Sequence, residues 1–402
     1  MPPETPYVLS PLELATGMVL GTDPSVSPLL SPTPGFTARA ALEGALVRAL
    51  QRRPCLVSFS GGRDSSAVLA LAAHVARQEG LPLPIPITMR FPSCAESDET
   101  SWQELVVRHL QLPDWVRLEF DDELDVIGPN AQAVLARYGV LWPFNVHSHL
   151  PLAERAAGGT LVTGAGGDEL LVPRQLWRRV NQVLARQVRP APKDVLRIAA
   201  AYGPRPLRRR VASRQLAWED LSLPWLRFDA ARQLHDDVLL ELDDEPVRWD
   251  ASIDRVWWRS NYRRVSAQSL SLVGDMHSVA VESPLADPVV LAAIAREGGR
   301  AGFSSRTIAM KHLFNDLLPV EILERTSKAL FGGSFWNQRA SAFAASWDGT
   351  GVDPDVVDVD ALRERWARSG SSNSDARTFG LLQSAWLASS RSAIGRFPGC
   401  RP

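Results

Sequence analysis

Short apolar runs alternate with amphipathic helical stretches over the first 170 or so residues. Residues 38–52 carry Ala, Leu and Val at helical spacing and lead into 55–59, which reads as a buried strand. A small-residue segment, 60–65, follows, and then an Ala/Leu/Val-rich helix from 66 to about 78. The order repeats: strand 84–89 and helix 98–110, strand 116–120 and a helix around 130–138, then strand 160–163. Strands separated by helices of this length predict an α/β fold, a parallel sheet with flanking helices. After residue 169 the pattern is helical to 264, rich in Arg and Trp, with no convincing strand. Helices continue through 265–345, broken by Pro284, Pro288 and Pro319, so the C-terminal half reads as largely helical. From 346 there is a Gly/Asp/Pro loop (348–358), a helix at 360–368, a Ser/Asn linker and a last helix at 376–391. Residues 1–36, weakly periodic and rich in Pro, Ser and Thr, read as a surface arm or loosely packed extension. The expected organisation is an arm at 1–37, a main domain at 38–345 and a helical tail at 346–402 packed on it, with no internal repeat.

A chain of 402 residues, 45% hydrophobic and 22% charged, can bury a substantial core in one large or two fused domains. Its net charge of −1 gives no global attraction to nucleic acid or to an anionic membrane. Cys55, Cys94 and Cys400 are far apart and form no CxxC pair, which fits a reducing cytoplasm. With no signal-peptide pattern at the N-terminus and no apolar run of transmembrane length, a cytoplasmic protein is expected. The arginines of 174–214, with Trp177 among them, read as a face paired with acids such as Asp236, Asp237, Asp243 and Asp244 rather than as a nucleic-acid surface. The acidic run 119–125 reads as a solvated loop. Trp257 and Trp258 read as core, and His147 and His149 do not share a helix face that would suggest zinc.

Chemistry concentrates in two loops. The 60–65 loop lies between a strand and a helix N-terminus, where free N–H groups and the positive helix end suit an anion. Gly61 and Gly62 let backbone approach a phosphate, and Ser60, Ser65 and Ser66 add hydroxyls. The Gly-Lys-Ser/Thr ending of a Walker A loop is absent; Asp64 instead offers a ligand for Mg²⁺ on a nucleotide's phosphates. The second loop, 163–169, also follows an apolar strand and holds Gly164, Gly166, Gly167, Asp168 and Glu169. In a parallel sheet both loops fall at strand carboxyl ends, so Asp64 and Asp168 are candidates to share one Mg²⁺, against the plainer reading of Asp168 as a helix cap. Two further segments are generic by themselves: a Pro/Asp turn at 281–288, and the cations Arg306, Lys311, Arg325 and Lys328 ahead of a Gly-rich stretch.

The Ser-Gly-Gly-x-Asp-Ser string at 60–65 resembles the pyrophosphatase loop of enzymes that split ATP into AMP and pyrophosphate. Together with Thr-Gly-x-Gly-Gly-Asp-Glu at 163–169, Pro-Leu-x-Asp at 284–287 and Leu-Pro followed by Arg-x-x-Lys at 318–328, it resembles the synthetase domain of the asparagine synthase family over residues 38–345. That resemblance implies an adenine-nucleotide α-hydrolase-like sheet, with ATP and Mg²⁺ as cofactors. It also implies a ligase that adenylates a carboxylate, releases pyrophosphate and lets an amine displace AMP. By position it implies that Ser60, Gly61, Gly62, Asp64 and Ser65 bind pyrophosphate, with Gly164 and Gly166 in the second loop. Asp64 and Asp168 would hold the metal, and Lys311 would contact phosphates. Backbone at Ser58 and Met89 would hold adenine, and Lys328 would stabilise the transition state of amide formation.

The sequence also departs from that pattern. Asparagine synthases begin with a glutaminase domain whose first residue is a Cys nucleophile, whereas Met1 here is followed by Pro2 and only about 35 residues precede the first predicted helix. The nitrogen is therefore expected from free ammonia, from an amine on the substrate or from a separate donor protein. Ala165 stands where the family often has Glu or Tyr, so a β-lactam-synthetase-style Tyr/Glu dyad is not expected. Glu282 stands where Arg is usual and is a candidate substitute base. The expected substrate is a small carboxylate or a peptide. A lasso-peptide-type macrolactam cyclase and a catalytically degenerate nucleotide-binding protein remain as alternatives. Thiouridylase chemistry is disfavoured by the isolated cysteines.

Overall fold

In the computed structural model, which describes residues 5–30, 35–171, 175–215, 221–327, 329, 331–369 and 375–394, five strands form one parallel sheet. They are β1 (Cys55–Ser58), β2 (Ile85–Arg90), β3 (Val116–Glu119), β4 (Thr160–Val162) and β5 (Ala280–Glu282), in the spatial order β3-β2-β1-β4-β5. Leu56 faces Ile85 on one side and Leu161 on the other. Because side chains alternate across a strand, Cys55, Val57 and Phe59 enter one core and Leu56 the other. Helices Ala38–Gln51, Arg63–Gln78 and Pro288–Gly298 cover the first face, and helix Leu150–Arg155 packs Leu152 and Ala153 on the second. Burial on both faces is why the central strands β1 and β4 read as short apolar runs, whereas β3 alternates half-buried and exposed positions.

Three expectations need correction. The sheet has a fifth strand where the sequence suggested only helices: Val281 pairs with Leu161, and Glu282 with Val162. Three residues at a sheet edge are too few for their alternation to stand out. The helix after β1 begins at Arg63 rather than 66, so Asp64 and Ser65 belong to its first turn. The segment at 5–30 is not loosely packed. Ser10 and Glu13 form a capping box that starts helix Pro11–Thr16. Leu9, Ala15 and Val19 are buried in an aromatic core with Trp225, Trp336, Trp366 and Phe379. The indoles of Trp225 and Trp142 donate to the carbonyls of Ala15 (2.7 Å) and Gly17 (3.0 Å) at that helix's end. The described part of the C-terminal tail packs into the same core through Trp347, Leu362, Trp366 and Phe379.

The arginine-rich helices close on their own acids. Arg179 and Arg197 pair with the buried Asp194, and Arg205 and Arg209 with Asp243. Arg208 lies over Trp177 and donates to the carbonyls of Ala201, Asp243 and Glu245. No helix among the described residues is long and apolar enough to cross a membrane.

His147 is buried in the turn Val146–His149, where its Nε2 donates to the Leu124 carbonyl (3.0 Å) and its edge meets Phe335. Burial pulls this imidazole down to about 4, with the backbone hydrogen bond acting in the opposite direction. An unfolded chain protonates it near 6.5, so stability falls as pH drops from about 6.5 to about 4, by roughly 3 kcal/mol for this residue. His147→Gln should flatten the pH dependence of urea unfolding by about that amount between pH 7 and 4. His149 and Glu245, displaced in opposite directions in an overlapping range, are common to both proteins and cancel in the difference. Parallel curves would show that the ring does not titrate as its burial requires.

Candidate active site

Strand order reverses between β1 and β4: the chain moves outward to β2 and β3 on one side and to β5 on the other. Ligands of open α/β sheets bind at the carboxyl ends of strands at such a point. Both glycine loops lie there. Gly62 caps the helix after β1 without any side-chain hydrogen bond, so the first N–H groups of Arg63–Gln78 are left for another acceptor. Gly61 sits at φ +87° and its carbonyl points back into the protein, accepting from Arg325 (2.9 Å). Ser65 Oγ lies 3.1 Å from Ser60 Oγ and donates to the Gly62 carbonyl, so the loop hydroxyls are gathered on one another.

The second loop fits against the first with no room for a side chain. A Cβ on Gly167 would stand 2.3 Å from Asp64 Cγ, and one on Gly164 would stand 3.0 Å from the Ser65 nitrogen. Gly166, at φ +96°, passes Leu285 and Ala286 equally closely. This contact brings Asp64 and Asp168 onto one cation. Arg306 donates from Nη2 to Asp64 Oδ2 and from Nη1 to Asp168 Oδ1, each at 2.6 Å. The Asp64 carboxyl is raised above its ordinary value by burial, which Arg306 partly opposes. Its Oδ1 is buried with no hydrogen-bond partner. An open carboxylate oxygen beside a second carboxylate fits Mg²⁺, which takes one or two protein carboxylates and completes its shell with waters and phosphates. Among the described residues no cluster of three or more metal-ligating side chains exists.

Two cavities flank the loops. One, of about 230 Å³, is lined by Asp64, Asp168, Glu169, Trp257, Tyr262 and Ser266, among others. Tyr262, on the first turn of helix Asn261–Asp275, donates to Glu169 Oε1 (2.9 Å) and packs its ring on Trp142. Trp257 comes from the π-helical turn Ile253–Trp258, which aims it at this cavity as well as at the core. The other cavity, of about 470 Å³, lies beyond the end of β2 and is lined by Met89, Phe91, Glu99 and Gln103. Ser58 and Met89 end up on adjacent strands, with Phe59 N donating to the Ile87 carbonyl between them.

Not every residue singled out in the sequence arrives at the site. Glu282 stands on β5, where partial burial raises its carboxyl and Arg48 opposes that, and it does not line the 230 Å³ cavity. Lys311 pairs with Glu324 at 2.5 Å instead of reaching the loops. Lys328 lies outside the described residues. Ala165 lines the small cavity and offers no ionisable group; the Tyr262–Glu169 pair stands there instead. The signal for that pair is weak in sequence because its members are 93 residues apart. Arg306 was visible as one cation in a basic segment, but nothing local marked it as the bridge. Burial pushes the Cys55 thiol up to about 12, so this cysteine is no nucleophile.

A family model described as asparagine synthase matches residues 37–388, which includes both loops and the basic segment and runs on into the tail. No curated protein matches the chain.

Arg325 is the strut under the phosphate-type loop. It forms a buried fork on both oxygens of Glu99, lies over the Trp102 ring at 4.6 Å, and bonds Ser327 Oγ at 2.9 Å. Removing it strands a buried carboxylate, so Arg325→Leu should cost about 3–5 kcal/mol in chemical denaturation. The double variant Arg325→Leu/Glu99→Leu should recover part of that loss. Equal losses in the two proteins would show that the ion pair is not what holds the loop.

Proposed function

The chain belongs to the asparagine synthase family of ATP-dependent carbon–nitrogen ligases, and on that premise we propose that it adenylates a substrate carboxylate and transfers the acyl group to an amine or ammonia. The observation that carries this reading is the meeting, at one strand-order reversal, of an uncapped helix N-terminus and two carboxylates from separate loops. An anion-binding helix end beside a hard-oxygen pair suits the phosphates of ATP and their Mg²⁺.

Asp64 and Asp168 would hold that Mg²⁺, which when bound neutralises phosphate charge. In the first step a carboxylate oxygen attacks the α-phosphorus while the bond to the bridging oxygen breaks. Pyrophosphate leaves toward residues 60–65, where the Ser60 and Ser65 hydroxyls exchange internal partners for phosphate oxygens and the first N–H groups of the helix add to them. The larger cavity beside Met89 takes the adenine end, and the smaller one takes the acyl group. In the second step the amine nitrogen attacks the acyl carbon, AMP departs with the electron pair of the broken C–O bond, and the amine proton passes to Glu169. Tyr262 fixes that carboxylate by its hydrogen bond. Lys328 follows the Arg325 strut by three residues, and the resemblance of that string assigns it to the charge developing in amide formation. Glu282 and Lys311 are given no step, since their neighbours are Arg48 and Glu324. The nitrogen is free ammonia, an amine of the substrate or one delivered by a separate protein.

AMP release and ATP–pyrophosphate exchange, measured over panels of carboxylates and amines, test the reading. Asp64→Asn should lower exchange by about 10²-fold or more. Glu169→Gln should leave exchange within a few-fold of the parent while amide formation falls by about 10²–10⁴. Undiminished exchange in Asp64→Asn would sink the adenylation assignment; equal loss of both activities in Glu169→Gln would remove the base role alone.

A further inference from the structure

Arg306 joins the two aspartates in a way that a purely structural bridge does not require. One guanidinium serves both carboxylates, and all three side chains belong to different segments. Two acids so close repel unless a cation stands between them. Yet the bridge is incompletely satisfied: Arg306 Nε and Asp64 Oδ1 are both buried and neither has a hydrogen-bond partner. Buried ion groups retained for stability alone normally have their remaining donors and acceptors filled. Arg306 is also the first residue of helix Arg306–Phe314, which Ser305 caps and which Ala309, Met310, Leu313 and Phe314 anchor in the core. The side chain can therefore swing at the helix end while the helix stays packed.

We propose that Arg306 is a resident counter-ion: in the nucleotide-free protein it occupies the place of the metal between Asp64 and Asp168, and it yields that place when the metal–nucleotide complex enters. This rests on the reading that Mg·ATP binds here. The charges support the exchange. Arg63 also acts on both carboxylates, so at rest two acids and two guanidinium groups balance, whereas an entering divalent cation adds two positive charges that the nucleotide's phosphates offset, and it releases a guanidinium beside the phosphate loop. Its planar fork matches phosphate oxygens as well as it matched the carboxylates. Arg306 thus keeps the two loops together at rest, disfavours metal without nucleotide and becomes a phosphate ligand once both arrive. It touches the nucleotide only in the loaded state, so at rest it is a positioning residue.

Mn²⁺ serves as the probe, with binding read by electron paramagnetic resonance without nucleotide. Arg306→Gln should bind Mn²⁺ alone at least tenfold more tightly than the parent, because its competitor is gone. Arg306→Lys, which keeps the charge, should stay near the parent. The melting temperature of Arg306→Gln should rise with Mn²⁺ while that of the parent does not, a response that lost packing would not produce. In the parent itself, the Arg306 Nε–H resonance, assigned by its loss in Arg306→Lys, should shift when Mg²⁺ and α,β-methylene-ATP are added together. The inference is overturned if the parent binds Mn²⁺ with that analogue but Arg306→Gln gains no affinity for Mn²⁺ alone, or if the Nε–H resonance does not move. Failure of the parent to bind the metal–nucleotide pair at all would instead overturn the functional reading, and the inference with it.

Discussion

Two loops leave the sheet side by side at the carboxyl ends of β1 and β4, and they approach so closely that no Cβ can stand between them. Everything at the site follows from that contact. A side chain at 167 would collide with Asp64, and one at 164 would press on the first turn of the next helix. With both positions bare, Asp64 and Asp168 reach the same guanidinium. The strand order places this contact at the reversal where a ligand can enter. Close approach of backbone is thus the condition, and the shared cation is its result.

Burial sets the chemical character of the loops as much as geometry does. Glu99 and Arg325 form a desolvated pair whose value lies in what it holds: Arg325 also grips the Gly61 carbonyl, fixing the turn that opens the helix end. Such a pair adds little stability over an apolar substitute, and much depends on its not being half removed. The arginine-rich helices follow the same logic further out. Asp194 accepts from two guanidinium groups and from the Ala191 amide, and those bonds hold its carboxyl well below the usual range. The internal pairing expected of this arginine run is seen at Arg179, Arg197, Arg205 and Arg209.

The first four strands and the two loops were legible because β1 and β4 are buried on both faces and each loop is local in sequence. Spacing within six or seven residues carries that information. Pairing over longer distances does not appear in any window, which is why the Tyr262–Glu169 contact and the role of Arg306 emerged only in three dimensions. The phenol that lines the cavity beside Ala165 comes from helix Asn261–Asp275, an element placed by Trp142 and Trp257 packing on Tyr262. β5 escaped notice for the opposite reason: three residues carry too little pattern, though its hydrogen bonds to β4 complete the sheet. The helix at Pro11–Thr16 had a readable sign in Ser10 and Glu13, but the prolines and serines around it masked its periodicity. Glu282 illustrates the limit of reading by position, since its strand leaves it outside the lining of the small cavity.

The aromatic core joins the two ends of the described chain. Leu9, Ala15 and Val19 share it with Phe379, Leu381 and Leu382, and Trp225 from the middle caps the first helix. For a ribosome releasing the polypeptide from its N-terminus, this means that helix Pro11–Thr16 emerges long before its core partners exist. That helix is six residues long, too short to persist in water by itself. The sheet can assemble once β5 has emerged, but the aromatic half must wait for the last helix. Emergence of the helix that carries Phe379, Leu381 and Leu382, rather than any local event, is therefore the moment at which this core closes.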